Sequence, residues 1–385
     1  MDANLEQYAT KAQWHYYKAA CEHGSNRKAA EALGVHPSTI DYSISRLMAR
    51  AARSGYSPQH GLVEPYHDGY KAGKVTIQRD SQGTIERTWE RMCEDRERWQ
   101  SIVDESLEAM REGIKRENPV KPPKATVESL LNCYVITDYH LGMLSWHEET
   151  GADWDSKIAE DLLTNWFAST VKQAPDSETA ILAQLGDFLH HDGLESVTPE
   201  NKNILDADTR FQKIVRIAIR SLRRIVRMLL KKHQSVHLIM AEGNHDPASS
   251  VWLRESFQAL YEDEPRVTVD LTPDPYYCYE HGSTSLFFHH GHRRKPTNID
   301  DVFVAKYRDV FGRTKHSYAH MGHLHNQQSS ETNLMIVEQH RTLAAPDAYA
   351  SSRGFMSGRD AKCITYHKDH GEVGRITVSP DMVSE

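Results

Sequence analysis

A short apolar run at residues 180–185 stops at Gly186 and is followed at once by Asp187-Phe188-Leu189-His190-His191-Asp192. An apolar run of this length bounded by a glycine reads as a buried strand. The glycine lets the chain turn sharply at the strand end, so Asp187 points into the crevice there. A carboxylate so placed can bridge two cations, one oxygen to each. Further strand-like runs fall at 131–137, 236–241, 285–289 and 318–321, alternating with helical patterns at 155–173, 210–232 and 249–261. That alternation predicts an α/β fold, either a sandwich flanked by helices or a doubly wound sheet.

The chain has 385 residues, 39% of them hydrophobic and 26% charged, which suits a globular protein of two domains. Its polar first residues do not resemble a signal peptide, and no run approaches the ~20 apolar residues of a membrane span. The five cysteines are scattered without a CxxC pair, which argues for a reducing, cytoplasmic setting and against thiolate zinc. A net charge of −8 gives no global attraction to nucleic acid, so any such contact must be local.

Three helices are expected in residues 1–55: one at 4–22, one at 26–34 with Asn26 as N-cap, and a third opened by Ser38 and Thr39. The third carries Ile40, Ile44 and Leu47 inward. Helix, glycine-bearing turn, helix resembles the DNA-binding helix-turn-helix, whose second helix enters the major groove. Ser38, Thr39, Asp41, Tyr42, Ser45 and Arg46 would then face DNA, with Arg50 and Arg53 for phosphates. A three-helix unit for protein contacts is the alternative. Residues 56–124 read as a linker holding a β-hairpin around Asp80-Ser81-Gln82-Gly83 and a charged helix over 89–116. That helix is expected to be solvated or to form half of a homodimer contact. The helix over 210–232 carries a basic face, read as solvated or as contacting phosphate.

Each strand end carries a metal-ligand motif. Asp138-Tyr139-His140 gives D-x-H, and Gly186-Asp187 gives GD. Gly243-Asn244-His245-Asp246, His289-His290-Gly291-His292 and Gly322-His323-Leu324-His325 complete the set. A lone D-x-H means nothing, whereas all five in this order are not accidental. The set resembles the calcineurin-like metallophosphoesterases; the resemblance covers residues 131–385, within a domain expected over 125–385. Within that superfamily, D-x-H-L-G and GD-x-x-H look most like the nuclease subunits of double-strand-break repair complexes. "LDADTRF" and "PDAYA" resemble phosphoesterases common in phages.

The resemblance implies a β-sandwich flanked by helices and two divalent cations. One would sit on Asp138, His140, Asp187 and His325, the other on Asp187, Asn244, His290 and His323. It implies that His245 touches the substrate phosphate, that Asp246 orients His245, and that His190 assists as in the repair nucleases. His292 would contact the phosphate or stand behind the ligands; Arg293 and Arg294, beside it in sequence, are read as contacting substrate or as part of a solvated loop. His289, His191 and His320 are expected to be structural, and the choice of His290 over His289 rests on the family alone. Donors of nitrogen and oxygen without sulfur suit manganese, iron or zinc and do not single out one; manganese is the first expectation. Such a pair of cations would hold a bridging hydroxide that attacks phosphorus in line. The expected activity is DNA phosphodiester hydrolysis. Phosphomonoester hydrolysis on a phosphoprotein or nucleotide is the alternative.

Overall fold

The computed structural model describes residues 1–60, 62, 70–94 and 119–383. They fall into two compact units, residues 1–111 and 112–385.

In the first unit the expected opening helix is divided. A 3-10 turn spans Ala3–Tyr8, and α1 (Lys11–His23) begins afresh behind Thr10. Thr10 and Gln13 cap it reciprocally: the Thr10 hydroxyl accepts the Gln13 N–H, and the Gln13 side chain accepts that of Thr10. The start of α2 (Asn26–Leu33) is also corrected by one residue, since Ser25 rather than Asn26 caps it. Gly34, at φ 66°, ends α2, and α3 (Pro37–Arg53) follows with proline in its first turn. Ala19, Ala29, Ala30 and Ile40 are buried together, and the alanines let the three helices approach closely.

Strands β1 (Tyr70–Arg79) and β2 (Ile85–Glu94) form an antiparallel hairpin. Asp80 makes its turn, its carboxylate accepting the N–H groups of Gln82 and Thr84. Residues 89–94 are therefore strand, not the start of the expected charged helix. The rest of that helix, with its dimer contact, lies outside the described residues, as does much of the expected linker.

The second unit holds two sheets. In one, β3 (Val127–Ile136), β4 (Ser177–Gln184), β5 (Ser235–Met240) and β6 (Val267–Val269) run parallel. Antiparallel β12 (Ala361–His367) and β13 (Gly371–Val378) extend its β3 edge. The other sheet has the order β10 (Gln328–Glu331), β11 (Ile336–Gln339), β9 (His316–Met321), β8 (Thr284–His289), β7 (Tyr277–His281). Strand alternation builds the core between them. Leu131, Cys133, Val135, Ile181, Ala183 and Ile239 meet Tyr277, Leu286 and Phe288 in one buried cluster. Phe287, Ala319 and Met321 point the other way, onto Ile299 and Phe303.

Helices α4 (Ser156–Gln173) and α5 (Phe211–Lys232) pack beside each other in the β3–β4 and β4–β5 crossovers. Ile214, Ala218, Leu222, Ile225 and Leu229 of α5 are fully buried at helical spacing. On its opposite face Arg220 pairs with Glu160 of α4. Helix α6 (Pro247–Leu260) follows β5. The chain thus has an α/β core preceded in sequence by a helical region. The parallel strands β3, β4, β5, β8 and β9 all deliver their carboxyl ends to the loops that bear the histidines and aspartates. Loops at that edge of an α/β sheet are where ligands bind.

Candidate metal centre

Among the described residues six non-glycine residues have positive φ, and five of them are Asp138, His140, Asp187, His323 and His325. A left-handed backbone is costly for such residues and persists where the surroundings enforce it, as at functional sites. The glycines of the motifs explain how the loops fit. A Cβ at Gly243 would lie 1.9 Å from Oδ1 of Asp187, and one at Gly322 would lie 1.9 Å from Oγ1 of Thr137 and 2.5 Å from Oδ2 of Asp138. Only glycine lets the backbone press against these carboxylates.

Two sets of donors converge: Asp138, His140 and His325, and Asp187, His290 and His323. His325 Nε2 lies 3.2 Å from Asp138 Oδ1 and 3.4 Å from His140 Nε2. In the other set, His290 Nε2 lies 3.2 Å from both Asp187 Oδ2 and Asn244 Oδ1. Ligands at about 2.1 Å from one ion stand roughly 3.0–3.4 Å apart in octahedral or tetrahedral geometry. The observed spacings fall in that range, so the donors fit a bound cation. The carboxylates point the same way. Asp138 is fully buried, and its Oδ1 has no hydrogen-bond partner. Among the described residues neither Asp138 nor Asp187 pairs with a lysine or arginine; their ion-pair partners are histidines.

The charge balance follows. Burial raises the pKa of Asp138, but His325 and His290 outweigh it and hold the carboxyl below its usual range. Burial likewise opposes ionisation of Asp187, and His290 with His245 reverses that. Burial pushes the His290 imidazole down, yet Asp187 and Asp138 together lift it to about 9. His140 is held low by burial and then by His245, which keeps it in the neutral, metal-binding form. The field of Asp187 reaches members of both donor sets, including His140, His290, His323 and His325.

The remaining site residues stand around this centre. His190 Nδ1 faces His140 Nδ1 at 3.3 Å, its Nε2 is unpartnered, and burial lowers it to about 3. Together with His245 these two form a third convergence of donors. Asp246 differs from expectation. It makes no hydrogen bond to the His245 ring; its carboxylate accepts the N–H groups of Asp187, Gly243 and Leu189. Burial, then the charge of Asp187, raises Asp246 to about 7. The ring of His245 is oriented instead by the His190 carbonyl, 2.8 Å from Nδ1. Nδ1 must donate there, which leaves Nε2 as the free nitrogen.

His289 stacks on Tyr276 and faces the Pro275 carbonyl through Nδ1, so it is His290 that joins the donor set. His292 sits with its ring centroid 5.3 Å from that of His290. Arg293 is turned to Glu242 at 2.8 Å, and Arg294 is exposed. His191 packs on Phe211. Ser38, Thr39, Tyr42, Ser45 and Arg46 are exposed along α3, in the other unit, with Arg46 over the Tyr42 ring.

Supports invisible in the motifs hold the loops. Thr137 donates to Asp138 Oδ2 at 2.5 Å, and Thr342 to the Asp138 carbonyl at 2.6 Å. Asp192 accepts the N–H groups of Ala248 and Ser249 at 2.7 Å each, pinning α6 behind GNHD to the loop after Asp187. His320, Glu338 and His340 form a further convergence, but Lys362, at 2.8 Å from Glu338, already supplies the cation there.

The calcineurin-like phosphoesterase family matches residues 131–373. No curated protein sequence matches the chain. Among solved structures, a phosphoesterase-like protein from Streptococcus pneumoniae TIGR4 is 11% identical, covers 66% of this chain and 99% of its own, with a TM-score of 0.29. An archaeal phosphodiesterase is 12% identical over 64% and 99%, with a TM-score of 0.33. The phosphopantetheinyl hydrolase of Mycobacterium tuberculosis is 12% identical over 59% and 93%, with a TM-score of 0.25. With the family spanning most of the second unit and two donor sets built at its strand ends, the chain belongs to the calcineurin-like phosphoesterases and is a metal-dependent enzyme of that kind.

Proposed function

We propose that the chain is a two-metal phosphodiesterase that hydrolyses DNA and is carried to duplex by a helix-turn-helix made of α2 and α3. The observation that carries the catalytic half is the pair of donor sets around Asp187. Asp138, His140, Asp187 and His325 would hold one cation and Asp187, Asn244, His290 and His323 the other, with manganese first among the candidates. When bound, two such ions polarise the phosphoryl group and supply a nucleophile from water at neutral pH.

The chain's own residues do the rest. Asp138 and Asp187 place two negative charges where the cations belong. His245, fixed through Nδ1 by the His190 carbonyl, presents Nε2 to the substrate. In its protonated form it donates there to a phosphoryl oxygen or the leaving oxygen. Asp246 holds the GD and GNHD loops in register, and His190 stands behind both His140 and His245. His292 and the Arg293–Arg294 turn flank the substrate side.

The exposed row Ser38, Thr39, Tyr42, Ser45 and Arg46 on α3 supports the DNA half of the reading. Cytoplasmic placement fits five free cysteines, and no described helix is long and apolar enough to cross a membrane. The test is Mn²⁺-supplemented hydrolysis of labelled single- and double-stranded DNA beside a chromogenic diester and monoester. Cleavage of DNA and diester supports the reading. Turnover of the monoester alone assigns the centre to phosphomonoesters of protein or nucleotide.

A further inference from the structure

Beside the donor sets lies a patch that the proposed chemistry does not use. Trp146, Tyr349 and Phe355 are 55%, 63% and 61% exposed, unusual for large aromatic side chains. They are not scattered. Trp146 immediately precedes the short helix His147–Thr150, and Tyr349 lies on the short helix Ala348–Ser352. Ser351 donates to the Glu149 carbonyl, and Ser145 donates to the Pro346 carbonyl at 2.7 Å, so the two segments are joined at both ends. Phe355 has its ring centroid 6.5 Å from that of Tyr349, and the Arg353 guanidinium covers the Tyr349 ring at 5.5 Å.

Both segments are anchored to the metal centre. Ser145 pairs with Trp154, whose indole N–H donates to the His140 carbonyl. Asp347, which caps the second helix, lies close enough for its charge to act on His325. Leu324, between the donors His323 and His325, adds an apolar side chain that is 53% exposed.

We infer that Trp146, Tyr349 and Phe355 form a stacking platform for unpaired nucleobases, so that the strand presented to the metal centre is single. Resting on the reading of the centre as a DNA phosphodiesterase, the inference names which form of DNA it takes. Base pairs hide their faces within a duplex, whereas an unpaired base offers one to each exposed ring. Stacking is sequence-tolerant and contributes about 1–3 kcal/mol per base. The guanidinium of Arg353 adds the cation that a phosphate beside a stacked base requires.

The test measures binding by the full-length protein, chelated so that no strand is cut. Fluorescence anisotropy compares a short labelled oligothymidylate with an abasic strand of equal length. The native protein should prefer the base-bearing strand. Trp146→Ala and Tyr349→Ala should each reduce that preference about 5- to 150-fold, and Trp146→Phe and Tyr349→Phe should restore most of it. Equal binding of both strands by the native protein overturns the platform. So does an unchanged preference in the alanine variants; if they also dissociate an oligomer, the patch is a protein contact. DNA hydrolysis without any base preference removes the platform alone; hydrolysis of monoester but no DNA removes the parent reading and the platform with it.

Discussion

His290 Nε2 lies 3.2 Å from Asp187 Oδ2, with both side chains out of solvent. In the metal-free protein this imidazole carries the positive charge that a cation would otherwise supply. His290 at about 9 stands above its unfolded value of about 6.5, so its contribution to stability is complete below that value and lost as pH rises toward 9. Asp187, held low, contributes above about 4 and loses that below. Asp246, raised to about 7, is increasingly disfavoured in the fold as pH climbs from about 4 to 7. Chelated protein should therefore melt at a lower temperature at pH ~9 than at pH ~6.5. A manganese-loaded sample should show a smaller difference, and a chelated sample equally stable at both values would contradict this balance.

His245→Ala should keep its metals and lose turnover by ~10²–10⁴, the range for a positioned acid or charge-stabilising group. Metal analysis beside kinetics checks it. Loss of metal with activity would make His245 a ligand, as its convergence with His140 and His190 permits.

Much of this centre was legible in the sequence because its motifs combine glycines with histidines and aspartates that few other roles require together. GNHD and GHxH locate the loops; the strand runs before them locate the sheet edge. The choice between His289 and His290 was not legible, since it depends on Tyr276 and Pro275, which take up His289. Nor was the orientation of His245, set by a backbone carbonyl that carries no side-chain signal. Residues 89–94 read as helix because Trp89 opens a heavily charged run whose apolar residues continue at helical spacing past the end of the hairpin. The break at Thr10 was missed because the capping box sits inside a continuous helical pattern.

Asp192→Ala should destabilise the second unit by about 0.5–2 kcal/mol, the range for a lost helix cap, and Asp192→Asn by less. The side chain accepts two first-turn N–H groups of α6, just beyond His245. Urea unfolding measures the change. An alanine variant as stable as the native protein would show that solvent replaces the cap.

Arg46→Ala should weaken duplex binding and lower the slope of log affinity against log salt by about one, as expected for one lost phosphate contact. Tyr42, beneath the Arg46 guanidinium, should weaken binding with less change in slope when replaced by alanine. Unaltered duplex affinity in both variants would assign α3 to protein contacts.

The central claim is that Asp187 is shared by two cations, and metal stoichiometry tests it most directly. Native protein reconstituted with manganese and dialysed should hold two ions per chain, because the donor sets of Asp138 and His290 both lie within the field of Asp187. Asp187→Asn keeps the volume and removes the charge, and it should lose metal from both sites together. An Asp187→Asn protein that retains two manganese ions per chain would contradict the account.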